Sequence, residues 1–456
     1  MKVLLTHGYF IADDPKEQLI MRPYVPLGIL YISTYLEQQS IAHEVFDSTF
    51  SNKQAQIDFI VKYQPDYIGI YVNLMTKVNV LQIITAIKLN DKLNHIPIIL
   101  GGPEVRNHVD NLLKHGADYI VLGEGEIGFY DIITSLHNQS DMFMVQGICY
   151  TNNDGVIIKT GEREKIKDLD TLGFPNRKKV NLQLYLDAWK QHHGKNAISI
   201  STMRGCPYTC KWCSRAVYGL SYRRRSPDKV LEEMIHIKQS YNPDTLWFVD
   251  DVFTVSHKWM ETFAALVHES KLQMPFECIT RADRLNEEVL ELLQKSGCFR
   301  VWIGAESGSQ KIIDAMDRRV DVEQVSSMIQ LAKKFNIETG TFIMLGYPGE
   351  DESDIEKTIH HLKTSNPDYF TITIAYPIKG TALYEEVEPN FTTQLNWSDS
   401  SDREIKFKRT YPERYYKFAV SRVVNEVNYY KHEKLKYKIK SLIAKSGMWV
   451  SRTLLS

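Results

Sequence analysis

Short apolar runs alternate with segments of helical spacing through the first 150 residues. The runs lie at 2–6, 44–47, 67–72, 96–100, 119–122 and 147–150, and Leu27–Gln38 and 78–89 carry apolar side chains at helical intervals between them. Glycine or proline punctuates most run ends, most plainly at Gly101-Gly102-Pro103 and Gly123-Glu124-Gly125. This alternation predicts an α/β domain over residues 1–150, built on a doubly wound parallel (Rossmann-like) sheet. Ligands of such sheets bind beyond the carboxyl ends of the strands, where these glycine loops lie.

A second series begins near Asn196, with strand candidates at 197–202, 245–249, 276–280, 300–304, 339–344 and 369–374. Each interval has room for one helix, and 227–239 and 351–364 show helical starts and periodicity. Six βα units predict a partial (β/α)6 barrel over 196–390, with its chemistry at the C-terminal strand ends. Residues 151–195, rich in charge, Asn and Gly, read as a connector. Residues 391–456 read as a basic helical extension. From 403 onward Lys and Arg exceed Asp and Glu by ten, interleaved with Tyr, Val, Leu and Ile. That pattern predicts one or two amphipathic helices, whose basic face either is solvated or meets an anionic or lipid-like partner at a membrane periphery.

Composition adds little bias. The chain has 456 residues, 43% hydrophobic and 24% charged, with a formal net charge of −1, so nucleic acid is not an expected partner. No apolar run approaches the roughly 18 residues of a membrane span. The apolar start is too short for a signal-peptide core and reads as a first buried strand, so a cytoplasmic protein is expected. Six cysteines are too few for a disulfide framework. Cys149, Cys278 and Cys298 are scattered in apolar surroundings and read as buried small hydrophobes.

The other three cysteines fall within eight residues, in Met203-Arg204-Gly205-Cys206-Pro207-Tyr208-Thr209-Cys210-Lys211-Trp212-Cys213, directly after the first barrel strand. Three thiolates at this spacing suit a loop wrapped around an iron–sulfur cluster, and with no fourth cysteine nearby one iron keeps an open position. A zinc site would need a second Cys or His couple, and none is visible.

Cys-x-x-x-Cys-x-aromatic-Cys resembles the signature of the radical S-adenosylmethionine (SAM) superfamily. The resemblance covers about 195–390. It implies a 4Fe–4S cluster on Cys206, Cys210 and Cys213, whose open iron chelates SAM and whose electron cleaves it to methionine and a 5′-deoxyadenosyl radical. It also implies a low-potential reductant such as flavodoxin or ferredoxin. Trp212 occupies the aromatic position that lies next to adenine in the family. Asp250 and Asp251, ending the second barrel strand, match groups that contact the SAM amino group, and a carboxylate suits an ammonium. Arg281, ending the third, matches a SAM carboxylate partner. Glu306 and Ser307, ending the fourth, match ribose contacts, and Gly346 follows the fifth. Each of these also admits a plain capping or turn role.

A doubly wound domain ahead of such a barrel resembles the cobalamin-binding class of the superfamily. Gly101 and Gly102 match a glycine pair that lets the backbone approach the corrin tail. The loop Val72-Asn73-Leu74-Met75-Thr76 matches one that holds dimethylbenzimidazole, with Val72 where Ser is common. Arg22 to Gly28, Gly123 and Glu124 resemble further elements. The family's Asp-x-His-x-x-Gly motif is replaced by Thr6-His7-Gly8-Tyr9, so His7 and Gly8 stand at the site without a lower cobalt ligand being assigned. The resemblance implies cobalamin-dependent methylation of an unactivated carbon in a small-molecule or lipid-like substrate. The rival readings are a cobalamin-dependent radical cyclisation or rearrangement, and a non-catalytic corrinoid sensor or cluster carrier. A methylthiotransferase would carry a second N-terminal cysteine trio, and Cys149 is the only cysteine before the motif.

Overall fold

In the first sheet, successive side chains of each strand enter different layers, as the pleat requires. Val3 and Leu5 join the core beneath the helices Leu27–Gln38 and Gly125–His137, while Leu4 joins the core beneath Lys53–Tyr63 and Lys77–Lys88. The computed structural model describes residues 1–453; the last three residues of the predicted extension lie outside them. Strands β1 (Lys2–His7), β2 (Ala42–Phe46), β3 (Tyr67–Tyr71), β4 (Ile98–Gly101) and β5 (Tyr119–Val121) pair in parallel in the order β2-β1-β3-β4-β5. Antiparallel β6 (Ile148–Thr151) and β7 (Ile157–Lys159) extend this sheet into the segment read as connector. The connector helix Leu182–His193 then straps the two halves together. The Tyr185 hydroxyl donates to Asp47 Oδ2 at 2.9 Å, and Trp189 Nε1 donates to the Pro23 carbonyl at 2.9 Å.

The second sheet comprises β8 (Ala197–Ile200), β11 (Thr245–Phe248), β12 (Phe276–Thr280), β13 (Cys298–Glu306), β14 (Glu338–Leu345) and β15 (Tyr369–Ile374). All pair in parallel and in chain order, with β8 and β15 as open edges, which is a six-stranded partial barrel. A two-residue ribbon of β9 (Met203–Arg204) and β10 (Arg223–Arg224) crosses its carboxyl end. The helices Glu413–His432 and Leu435–Thr453 form an antiparallel pair against the barrel helix Glu352–Ser365.

Arg223, Arg224 and Arg225 turn inward, with side chains no more than 12% exposed. The Arg224 guanidinium lies 3.4 Å from the Trp259 ring centroid. Arg225 pairs with Glu233, which also holds Arg177 at 2.7 Å; none of the three side chains is more than 4% exposed. Removing one partner of a buried ion set leaves uncompensated charge. Glu233→Ala is therefore expected to destabilise the protein by about 3–5 kcal/mol in denaturant unfolding; a loss below about 1 kcal/mol would contradict the reading.

The turn after β14 is closed by a buried carboxylate. Gly346, at φ 79°, donates its amide to Glu350 Oε2 at 2.5 Å, and among the described residues Glu350 Oε1 has no partner. Burial, reinforced by Asp354 and Asp351, pushes the Glu350 carboxyl up to about 8. The folded state then keeps a proton that the unfolded chain releases near pH 4.5. The stabilisation from this group is complete below that pH and is lost as pH rises through about 8. Glu350→Gln is expected to flatten this part of the stability profile in pH-dependent unfolding; an unchanged slope would contradict it.

Candidate functional site

The cysteine loop is held from below by Asp250. This buried carboxylate accepts from the Thr202 amide at 2.7 Å, the Met203 amide at 3.1 Å and the Thr202 hydroxyl. Burial raises its pKa, opposed by nearby Arg224 and these hydrogen bonds. Gly205, at φ 84°, is required here because a Cβ would stand 2.3 Å from Ser221 Oγ. Further along, the Lys211 amide bonds the Met316 carbonyl at 3.1 Å, and Lys211 accepts from the Leu383 amide at 2.9 Å. These ties leave Cys210 buried, Cys206 partly buried and Cys213 exposed on one loop. Among the described residues no three His, Cys, Asp or Glu side chains converge on a single-ion site; the three sulfurs are spread along the loop.

Two guanidiniums face the middle sulfur: Arg281 Nη1 at 3.9 Å and Arg318 Nη1 at 3.8 Å from Cys210 Sγ. Arg281 also pairs with Asp283 at 2.7 Å and lies 3.8 Å from the Tyr208 ring centroid. Glu306, in the left-handed region at φ 63°, is buried with Arg318 Nε 3.9 Å away. Burial raises its pKa against the pull of Arg318 and Arg281. Positive charge beside three soft donors fits a thiolate-bound cluster. Arg318 had no mark in the sequence beyond being one of two consecutive arginines in the turn after Met316.

The other barrel candidates separate. Asp251 is exposed and lines a cavity of about 210 Å³ with Asp250 and residues 201–205. Ser307 is buried, accepting from the Ser309 amide at 3.1 Å and paired with Thr358 at 3.3 Å, so its hydroxyl serves a local cap. Gly346 packs beside Arg409 and Tyr416. Trp212 packs against the small core of Met316, Tyr347 and Leu383.

In the first domain, Gly101, Gly102, Gly123 and Glu124 line a second cavity of about 230 Å³, with Gly28, Gly69 and Tyr71. Gly102, at φ 112°, cannot carry a Cβ, which would stand 2.4 Å from the Val72 carbonyl. At Gly28, Gly101 and Gly123 a Cβ would meet nothing closer than 3.5 Å, so these three open into the cleft. A backbone floor bare of side chains fits the edge of a large planar cofactor. The remaining predicted residues lie outside this cavity. His7 is buried, with Nε2 3.1 Å from Asp47 and Nδ1 accepting from the Tyr9 amide at 3.1 Å. Gly8 sits against Val80, and its carbonyl accepts from Asn79 at 3.0 Å. Asn73 and Thr76 bond each other's backbone in the turn that carries Leu74.

The two cavities share Gly28, Arg204 and Tyr218. Arg204, two residues before Cys206, donates to Glu124 at 2.7 Å and pairs with Glu126, while Arg223 donates to Glu124 at 2.8 Å. Glu124 Oε2 also accepts from the Ile166 amide at 2.9 Å. Glu124 therefore faces barrel cations, a role its sequence position did not disclose.

Comparison with known proteins matches the same two units. Residues 200–362 match the Radical SAM superfamily family model, and residues 22–133 match the B12 binding domain model. The chain is 27% identical to the "Uncharacterized methyltransferase PH0819" of Pyrococcus horikoshii, over 82% of this chain and 80% of that protein. It is 24% identical to the "Anaerobic magnesium-protoporphyrin IX monomethyl ester cyclase" of Rubrivivax gelatinosus, over 88% and 75%. The solved structure of the radical S-adenosylmethionine methyltransferase TsrM from Kitasatospora setae has the same fold, with TM-score 0.72 at 18% identity over 87% of this chain and 79% of that one. A radical SAM domain implies a 4Fe–4S cluster and SAM, and a B12 binding domain implies cobalamin. Carrying both domains in one polypeptide, the chain belongs to the cobalamin-binding class of the radical SAM superfamily.

Proposed function

We propose that the chain is a cobalamin-dependent radical SAM methyltransferase acting on an unactivated carbon of a small-molecule or lipid-like substrate. The observation that carries this reading is the shared wall of the two cavities. Arg204 borders the glycine floor of one domain and the cysteine loop of the other. When bound, the cluster with SAM supplies a hydrogen-abstracting radical, and cobalamin supplies a transferable methyl group.

The chain's own residues supply position and charge. Cys206, Cys210 and Cys213 would hold the cluster, and Arg281 and Arg318 set positive charge against Cys210. Asp250 fixes the entry to the loop, so Asp251, its exposed neighbour, is the carboxylate left for a SAM ammonium. Glu306 offers an acceptor for ribose hydroxyls. Gly28, Gly101 and Gly123 leave the space a corrinoid needs, and Gly102 lets the chain turn close against the Val72 carbonyl, where no Cβ fits. His7 is committed to Asp47, so no imidazole is offered from this position as a cobalt ligand. The electron comes from a low-potential protein such as flavodoxin or ferredoxin.

The similarity to the Rubrivivax gelatinosus cyclase favours a second reading, ring closure with the same cofactors and no net methyl transfer. The two differ in their by-products. With reconstituted holoenzyme, reductant, SAM and a cell extract as substrate source, methylation is expected to yield S-adenosylhomocysteine together with 5′-deoxyadenosine. 5′-Deoxyadenosine alone would replace methylation by cyclisation, and neither product would overturn both. Asp251→Asn is expected to lower 5′-deoxyadenosine formation on the order of tenfold or more while leaving iron content unchanged.

A further inference from the structure

The last described helix, Leu435–Thr453, has two apolar faces where a docked helix needs one. Its inner face is built from Ser441, Ala444, Met448 and Ser451, all buried. Small residues there permit a close approach to Glu413–His432: a Cβ on Gly447 would stand 2.6 Å from the Phe418 ring. The outer face carries Leu435, Ile439, Leu442, Ile443, Trp449 and Val450, which are 66, 48, 56, 63, 67 and 38% exposed. At about 100° per residue these six fall within an arc of roughly 120°, diametrically opposite the buried face. Proteins free in water seldom leave a continuous aliphatic stripe with a tryptophan uncovered.

Charge identifies what covers it. Lys434, Lys438, Lys445 and Arg452 flank the stripe on one side, and Lys436 and Lys440 on the other. No Asp or Glu occurs between Lys434 and Thr453. We propose that this helix docks the protein on an anionic bilayer surface, lying in the interface plane. Its aliphatic side chains and Trp449 enter the headgroup boundary, while the lysines on both flanks meet lipid phosphates. Among the described residues no helix is long and apolar enough to cross a membrane, so the contact is one of lying on the surface. A second copy of the chain is a poorer occupant, because pairing two stripes would set five lysines against five with no carboxylate on either helix, Arg452 being paired with Glu352 of the barrel. The inference is independent of the proposed reaction.

The test is flotation of the full, cofactor-loaded chain with vesicles of phosphatidylcholine alone or mixed with phosphatidylglycerol. Binding is expected to the mixed vesicles, to weaken severalfold from physiological salt to about 1 M as screening shortens, and to bring Trp449 within reach of brominated-lipid quenching. The exposed double variant Leu442→Glu/Ile443→Glu is expected to lower partitioning on the order of tenfold or more with unchanged circular dichroism. Lys438→Gln/Lys445→Gln is expected to lower it only for the phosphatidylglycerol vesicles. Absence of binding to the mixed vesicles, equal binding of the Glu double variant, or a solution dimer that this variant dissolves would overturn the proposal.

Discussion

The arrangement of this molecule depends on a small buried set of opposite charges at the domain boundary: Arg204 and Arg223 from the barrel against Glu124 and Glu126 from the first domain. None of the four side chains is more than 12% exposed. Buried ions of this kind are weak contributors to net stability, but they penalise any arrangement that separates them. The pairs thereby fix register between two ligand-facing edges, one on each domain's sheet. Arg204 also stacks between Tyr31 and Tyr218, at 5.3 and 5.4 Å from their ring centroids, so the cation has aromatic walls as well as carboxylate partners. Its place two residues ahead of Cys206 means that the same peptide segment sets the domain interface and the start of the cysteine loop.

Other ties close the flank. Asn107 Nδ2 donates to the Lys379 carbonyl at 2.7 Å, and Arg106 Nε to the Ala216 carbonyl at 2.9 Å. From the segment that follows the barrel, Trp397 covers the buried Lys77 ammonium at 4.9 Å. The first domain and the segments of the second are thus joined at several points besides the charged cluster. A reaction passing a group between two bound cofactors depends on such positioning, because misplacement of about 1 Å costs on the order of a hundredfold in rate.

Much of the architecture was legible along the chain. Alternating apolar runs and glycine stops mark both parallel sheets, because period and punctuation are local properties. The strand ends at Asp250, Arg281 and Glu306 were legible for the same reason. What each side chain does there was not. Asp250 turns inward to three donors of the Thr202–Met203 segment, 47 and 48 residues earlier, and Arg281 turns to a cysteine 71 residues earlier. Glu124 looked like part of a glycine loop, and its partner lies 80 residues on. Arg223, Arg224 and Arg225 are three consecutive cations in the sequence, yet each finds a carboxylate or an aromatic face in tertiary contact. Arg318 was missed because nothing local distinguishes it from its neighbour Arg319. Periodicity encodes which face is buried; it does not encode which distant group shares that burial.

On the proposed function, adjoining cavities serve two cofactors held by separate residue sets. The most direct measurement is iron, sulfide and corrinoid content of the anaerobically purified chain and of its Cys206→Ala/Cys210→Ala/Cys213→Ala variant, both from cells supplied with cobalamin. About four irons and about one corrinoid per chain are expected, with a variant that loses the iron while keeping the corrinoid. Iron at that level with no corrinoid, in a chain that stays folded, would contradict the proposed function.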